Sequence, residues 1–369
     1  MLINFQHKKV LVAPLDWGLG HATRCMPIIN ELLHNDNEVL IAADGAIKNI
    51  LQNEFPQLQF VNLFNYNIQY SKNGKLLWLS MLKQTKHILN CIQKENNWLN
   101  KFIENENIDV IISDNRYGLY NKKVHSVFIT HQLKLSIPKP FSIFENYTKL
   151  FFEKYIKQFN ECWIPDYADE KNNLSGKLSH HQKLLGNTKF IEPLSRFKNY
   201  TSTEKPIESD ILILISGPEP QRTLFEQKIF NQVLALASTY KHVSKLHFSS
   251  LTPSSPIERN GEFENMFDKK IIIVGGNFIS TNEKNNLPSF VEYHAAVAPL
   301  KLYDYLMGAK KIICRSGYSS VMDLEAINKK AVYVPTPGQT EQEYLARWLQ
   351  ECGAGIFVTQ KNFELKNYF

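Results

Sequence analysis

The chain lacks any run approaching the roughly 18 to 20 apolar residues that a membrane-spanning helix requires, although it is 43% hydrophobic over 369 residues. Its charged, polar start leads directly into a first strand and is unlike a secretory signal, so a cytoplasmic protein is expected, at most peripheral at the inner face of the cytoplasmic membrane. Cysteine is scarce: Cys25, Cys91, Cys162, Cys314 and Cys352 are scattered without metal-ligand spacing, which argues against a disulfide framework or a zinc site and favours buried, reduced thiols. No Asp-x-Asp pair stands at a strand end, so no metal is expected in the chemistry. The net charge of +6 is not gathered into a basic stripe, which argues against a nucleic-acid partner but suits an anionic ligand or surface.

Short apolar strands alternate with helical segments: KKVLVAP, EVLIAAD, LQFVNL and DVIISD early, then DILILIS, KIIIVGG, KKIICRS and AVYVP late. That alternation predicts an α/β protein with parallel sheets. The polar stretch FKNYTSTEKPIESD, from Phe197 to Asp210, separates two such series. Domains over 1–200 and 201–369 are expected, with the last helix packing back on the first.

The richest segment runs from Ile312 to Gln342 as strand, Gly-Ser turn, helix, strand and polar loop. Arg315, Ser316 and Gly317 break the strand, and Ser319 or Ser320 can cap the helix that follows. Free N–H groups and the positive helix end then converge where a diphosphate would sit. Asp323 lies four residues after Ser319, one turn along the same face, and offers two acceptor oxygens to a vicinal diol such as that of ribose. The loop TPGQTEQE brings Gln339, Gln342 and Glu343 toward sugar hydroxyls. A nucleotide-diphosphate-sugar site is the natural reading, although a strand, a turn with Gly and Ser, and a helix are also common in α/β folds without one.

This segment resembles the donor-binding segment of GT-B glycosyltransferases, particularly the MurG-like, family 28 group: RSG, a helix bearing an acidic residue, a strand ending in VP, and a Gln-containing loop. The resemblance implies two Rossmann-like domains with parallel sheets facing each other across a cleft. It also implies that Ser316, Gly317, Ser319 and Ser320 face the diphosphate, Asp323 the ribose, and Gln342 with Glu343 the donor sugar. The usual ribose glutamate is here the shorter Asp323, and a pair of glutamines is here Gln342 and Glu343, which leaves the sugar open. A UDP-sugar is the first choice of donor, as substrate with no separate cofactor, and a lipid-linked acceptor at a membrane is one possibility for the partner.

GLGHATR follows the first strand and resembles the first loop of the same enzymes and of a related nucleotide-sugar hydrolase. Gly18 and Gly20 let backbone approach a ligand closely. His21 titrates near working pH and is the first candidate base, although a histidine at a helix start can equally be a cap or packing residue. Asp16 is the second candidate, with a turn cap as its alternative. Like His21, Arg24 falls in register with that loop, and it is expected on the acceptor side. On the acceptor side, Asp114, Asn115 and Arg116 follow one strand and His131 and Gln132 another, at carboxyl edges where α/β folds bind ligands, although loops there are polar by default. By the same resemblance Ser216, Gly217 and Arg222 approach the donor phosphates, with Arg222 supplying charge where two prolines remove N–H donors. Pro299 and Leu300 would lie against the base, or equally serve as ordinary loop packing.

From Phe144 to Phe159 an aromatic stripe with Tyr147, Phe151 and Tyr155 reads as core packing, as a membrane-docking face, or as a grip on a hydrophobic acceptor. A hydrolase or epimerase on the same fold, and a non-catalytic nucleotide-sugar or membrane-binding protein, are the alternatives to a transferase.

Overall fold

The computed structural model describes residues 3–67, 84–134, 145–180, 183–198, 200, 205–249, 269–275 and 287–369. The expected residue Phe144 and the side chain of Tyr147 lie outside this set, as does part of the stretch between the two series.

The chain divides into two compact units. The first holds a seven-stranded parallel sheet in the order β3-β2-β1-β4-β5-β6-β7. Its strands are β1 (Lys9–Pro14), β2 (Glu38–Ala42), β3 (Gln59–Val61), β4 (Val110–Asp114), β5 (His125–Ile129), β6 (Glu161–Pro165) and β7 (Thr188–Ile191). Helices α1 (Leu19–His34), α2 (Gly45–Glu54), α3 (Thr85–Asn105) and α4 (Glu145–Ile156) connect them. The second unit holds a six-stranded parallel sheet in the order β10-β9-β8-β11-β12-β13. Its strands are β8 (Ser209–Leu214), β9 (Ile271–Val274), β10 (Val291–His294), β11 (Ala309–Cys314), β12 (Ala331–Tyr333) and β13 (Gly355–Phe357), with helices α5 (Gln221–Ser249) and α6 (Pro299–Gly308). Two later segments, Ser316–Asn328 and Gly338–Gly353, group with the first unit. They carry α7 (Tyr318–Ala326) and α8 (Thr340–Glu351).

Central strands are buried on both faces, and their sequences are correspondingly continuous runs of Val, Ile and Leu. In the first unit Leu11, Ala13, Leu40, Ile111 and Leu99 form one core layer. In the second, Ile211, Ile213, Ile271, Ile273 and Ile313 pack with Phe225 and Phe363. Leu365 joins this core, and its N–H donates to Gln232 Oε1 at 2.8 Å.

The aromatic stripe is largely core. Phe152 and Phe159 are buried against Phe128 and Cys162, and Tyr117 stacks on Phe152 with ring centroids 5.7 Å apart. Leu150, by contrast, is 63% exposed. Among the described residues no helix is long and apolar enough to cross a membrane.

In each sheet the strand order reverses once, between β1 and β4 in the first and between β8 and β11 in the second. The carboxyl ends of strands at such a reversal leave a crevice in which α/β proteins bind ligands.

Candidate active site

At the reversal of the first sheet, Leu15 N–H donates to Asp114 O at 3.0 Å, drawing the ends of β1 and β4 together. The chain leaving β1 turns through Gly18 into α1, which starts at Leu19. His21 therefore sits in the first turn, where Nδ1 lies 2.9 Å from Asp114 Oδ2. Arg24, one turn on, donates Nε–H to Asp114 Oδ2 at 2.8 Å and pairs through Nη2 with Oδ1. The same Nη2 lies 2.7 Å from His21 Nδ1.

Asp114 is fully buried. Burial alone would raise its pKa, but Arg24 and His21 outweigh that and hold the carboxyl down at about 2. His21 is pulled the other way: burial first, then the Arg24 charge, lower its pKa below the ordinary imidazole value, against the opposing pull of Asp114. A neutral imidazole backed by a charged carboxylate is the result, and Nδ1 is the engaged nitrogen.

His131, expected on the acceptor side, extends this cluster. Its Nδ1 lies 3.4 Å from Arg24 Nη1, and its Nε2 lies 2.9 Å from Glu341 Oε1. Its ring stacks on Tyr318 at 4.0 Å with the planes 4° apart. Burial opposes the charge on Glu341, but His131, Arg24 and His21 prevail and keep its pKa low. Glu341 escaped the sequence reading, which took the segment as a loop. Gln342 and Glu343 instead stand in the first turn of α8, with Gln339 as its N-cap residue. Ser316 Oγ donates to Gln342 O at 2.7 Å, and Glu343 Oε1 accepts from Gly338 N–H at 3.0 Å.

The N-terminus of α7 departs from expectation in one detail. Gly317 is its N-cap residue and no side chain caps it. Ser319 lies within the first turn, and its hydroxyl donates to Gly20 O at 2.8 Å. The first N–H groups of the helix therefore lack both an intrahelical carbonyl and a serine cap, the arrangement that binds anions. Gly20 is required by this approach, since a Cβ there would lie 2.7 Å from Ser319 Oγ.

Asp323 is buried on the same helix. Ser195 Oγ donates to Oδ1 at 2.8 Å, and Arg196 Nε–H donates to Oδ2 at 3.1 Å. Both oxygens offered to a diol are thus already engaged by the segment after β7. Burial raises the Asp323 pKa, with Arg196 and Ser195 opposing.

Asp16 and Arg116 belong to a second cluster. Asp16 Oδ2 accepts from Tyr66 N–H at 3.0 Å, and its Oδ1 lies 3.8 Å from Arg116 Nη2. Arg116 is fully buried, donating to Glu95 Oε1 at 2.7 Å and Pro14 O at 2.8 Å. Asp114, Arg24 and Arg116, expected on the acceptor side, are all buried. Asn115 adopts a left-handed backbone with φ 57, and Gln132 N–H donates to Thr130 Oγ1 at 3.1 Å.

In the second unit Arg315 lies at the reversal, 1% exposed. Its guanidinium donates to Val334 O at 2.9 Å, Pro335 O at 3.1 Å and Gln221 O at 3.1 Å and lies 4.2 Å from the Phe225 ring centroid. Burial lowers its pKa to about 9. Ser216 is exposed, and Gly217 has φ 109, where glycine is favoured. Arg222 does not stand free as a phosphate cation: Glu219 Oε1 accepts from its Nε and Nη2 at 2.8 and 2.5 Å. Pro299 opens α6, a position that suits its fixed φ and missing N–H, and Leu300 beside it is 43% exposed.

Among the described residues, no group of three or more His, Cys, Asp or Glu side chains is arranged to hold a metal ion.

Residues 255–367 match the family model of the glycosyltransferase family 28 C-terminal domain. An uncharacterized glycosyltransferase of Methanosarcina acetivorans is 23% identical over 368 residues, covering 95% of this chain and 86% of that protein. One from Methanosarcina mazei is 21% identical over 360 residues, covering 94% and 85%. Among solved structures, the glycotransferase of kitacinnamycin superposes with a TM-score of 0.62 at 12% identity, covering 99% of this chain and 89% of that one. MurG of Acinetobacter baumannii gives a TM-score of 0.52 at 11% identity, covering 98% and 88%. The two parallel-sheet units are those of the GT-B glycosyltransferase fold, and the C-terminal part of the chain carries the family 28 match.

Proposed function

We propose that this protein is a glycosyltransferase of the GT-B, family 28 type that moves a hexose or N-acetylhexosamine from a UDP-sugar to an acceptor hydroxyl without a metal ion. The observation that carries the reading is the His21–Asp114 pair at the reversal of the first sheet, with the uncapped N-terminus of α7 held against Gly20.

In the tautomer this reading requires, His21 Nδ1–H donates to Asp114 Oδ2 and the Nε2 lone pair is left for the acceptor. As the acceptor oxygen attacks the anomeric carbon, its proton passes to Nε2 and the bond from that carbon to the diphosphate breaks. The electron pair leaves on the diphosphate, where the free N–H groups of α7 receive the growing charge. A preorganised donor of this kind is worth about 3 to 4 kcal/mol at the transition state. Gln342 and Glu343, in the first turn of α8, are the proposed contacts to the sugar.

An acceptor carried at an anionic membrane surface is part of the same proposal; exposed Leu150 and Lys154 on α4 support it, while Lys149 and Lys157 flank Glu153 as ion pairs.

The test is a thermal-shift titration with UDP, GDP, TDP, UDP-glucose and UDP-N-acetylglucosamine, followed by UDP release from the sugar that binds. UDP and a UDP-sugar are expected to raise the melting temperature by mass action. Release of UDP should slow by about 10² to 10⁴ in His21→Asn. If no nucleotide shifts the melting temperature, the transferase reading fails.

A further inference from the structure

Arg24 contacts every other charged or titratable partner of His21, and yet it has no surface to offer a substrate, being 3% exposed. Its guanidinium grips both oxygens of Asp114, touches His21 Nδ1 at 2.7 Å and reaches His131 Nδ1 at 3.4 Å. One planar group thus spans a carboxylate and two imidazoles, a task that matches the rigid fork of arginine and not the single ammonium of lysine.

We propose that Arg24 is a positioning residue for His21: it holds Asp114 in register behind the imidazole and opposes its charge, so that the His21 lone pair is kept for the acceptor's proton. The proposal rests on His21 being the base of the reaction proposed above.

The groups facing His21 give the physical reason. Asp114 comes from the end of β4, Arg24 from the same helix as His21, and His131 from the loop after β5, bonded in turn to Glu341 of α8. Cys25 points its thiol at Asp114 at 3.8 Å, and burial pushes its pKa well up, so it adds no charge. Two carboxylates therefore meet one fixed cation. Without Arg24, both would act on the imidazoles unopposed, and His21 would hold a proton where its lone pair is needed. The Asp114 carboxylate would also lose the fork that sets its orientation.

The deciding experiment is a histidine titration by nuclear magnetic resonance on full-length wild type, Arg24→Met, Arg24→Gln and Arg24→Lys, with the His21 signal assigned through His21→Asn. Arg24→Met and Arg24→Gln are expected to raise the proton affinity of His21 at least about tenfold, and Arg24→Lys, which keeps the charge, should stay closer to wild type. Where the methionine variant fails to fold, the glutamine variant supplies the neutral case. The acid limb of kcat/KM should move to higher pH by the same factor. Unchanged or weaker proton affinity in the neutral variants would overturn the proposal. So would a higher acceptor KM with an unmoved acid limb, which would make Arg24 an acceptor contact. The titration needs no substrate: the expected shift in a protein that never transfers sugar would sink the transferase reading and leave the role of Arg24 standing.

Discussion

His21 Nδ1 lies 2.9 Å from Asp114 Oδ2 across 93 residues of sequence, joining the first turn of α1 to the end of β4. Both strands end at the same edge of one sheet because β1 and β4 are paired parallel, with Pro14 opposite Asp114. Burial and Arg24 lower the pKa of His21, so the imidazole is neutral throughout the neutral range. Transfer should therefore be independent of pH near 7 and decline only at pH below the ordinary imidazole value of about 6.5. A kcat/KM profile from pH 4.5 to 8 measures this. His21→Asn should remove the limb and lower the rate by about 10² to 10⁴.

Asp114→Asn tests the carboxylate behind the base. In the wild type its pKa is depressed to about 2, so the stability it contributes is present above the unfolded-state value near 4 and is lost as pH falls through 2. At pH 7 the variant leaves Arg24 buried without its partner, at a cost of about 3 to 5 kcal/mol. Urea unfolding at pH 7 and at pH 3 should show the difference between variant and wild type shrinking at the lower pH. Activity should fall even at temperatures where the variant is folded.

The legibility of these features in the sequence follows the range of the forces involved. β1 could be read at Lys9–Pro14 because KVLVAP is a continuous apolar run closed by a turn, which is a local signal. The short strands ECWIP, TKFI and GIF went unread, since a mixed or three-residue segment carries little periodicity and is held by its neighbours in the sheet. His21 stood out because a histidine after a glycine turn is conspicuous. Glu341 did not, because its partner His131 lies 210 residues away. Asp323 was visible as a helix carboxylate, but Ser195 and Arg196, which occupy it, come from a segment with no distinguishing pattern.

That occupation sets up a prediction. If Asp323 receives a ribose diol, the diol must replace hydrogen bonds that Ser195 and Arg196 now make. Removing the competing guanidinium in Arg196→Ala should then tighten UDP binding several-fold by titration calorimetry. Asp323→Ala should abolish binding and also destabilise the fold by about 1 to 3 kcal/mol through the unsatisfied groups it leaves. Equal UDP affinity in Arg196→Ala and wild type would mean that ribose is held elsewhere and that Asp323 serves to pin the segment after β7 to α7.

The contact between Gly20 and α7 gives a separate steric test. A Cβ at position 20 would meet Ser319 Oγ at 2.7 Å and Ser319 Cβ at 3.2 Å. Gly20→Ala must push the helix N-terminus away or twist the Ser319 side chain, a clash of the overpacking kind that costs about 1 to 3 kcal/mol. The shift falls on the N–H groups proposed to receive the diphosphate, so nucleotide affinity should drop along with stability. Ser319→Gly removes both atoms in conflict, and Gly20→Ala combined with Ser319→Gly should recover most of the melting temperature lost by Gly20→Ala alone. Such recovery would be the signature of a direct contact, because two independent sites would add their losses instead. Melting curves of the two single variants and the double variant, with and without UDP, decide it.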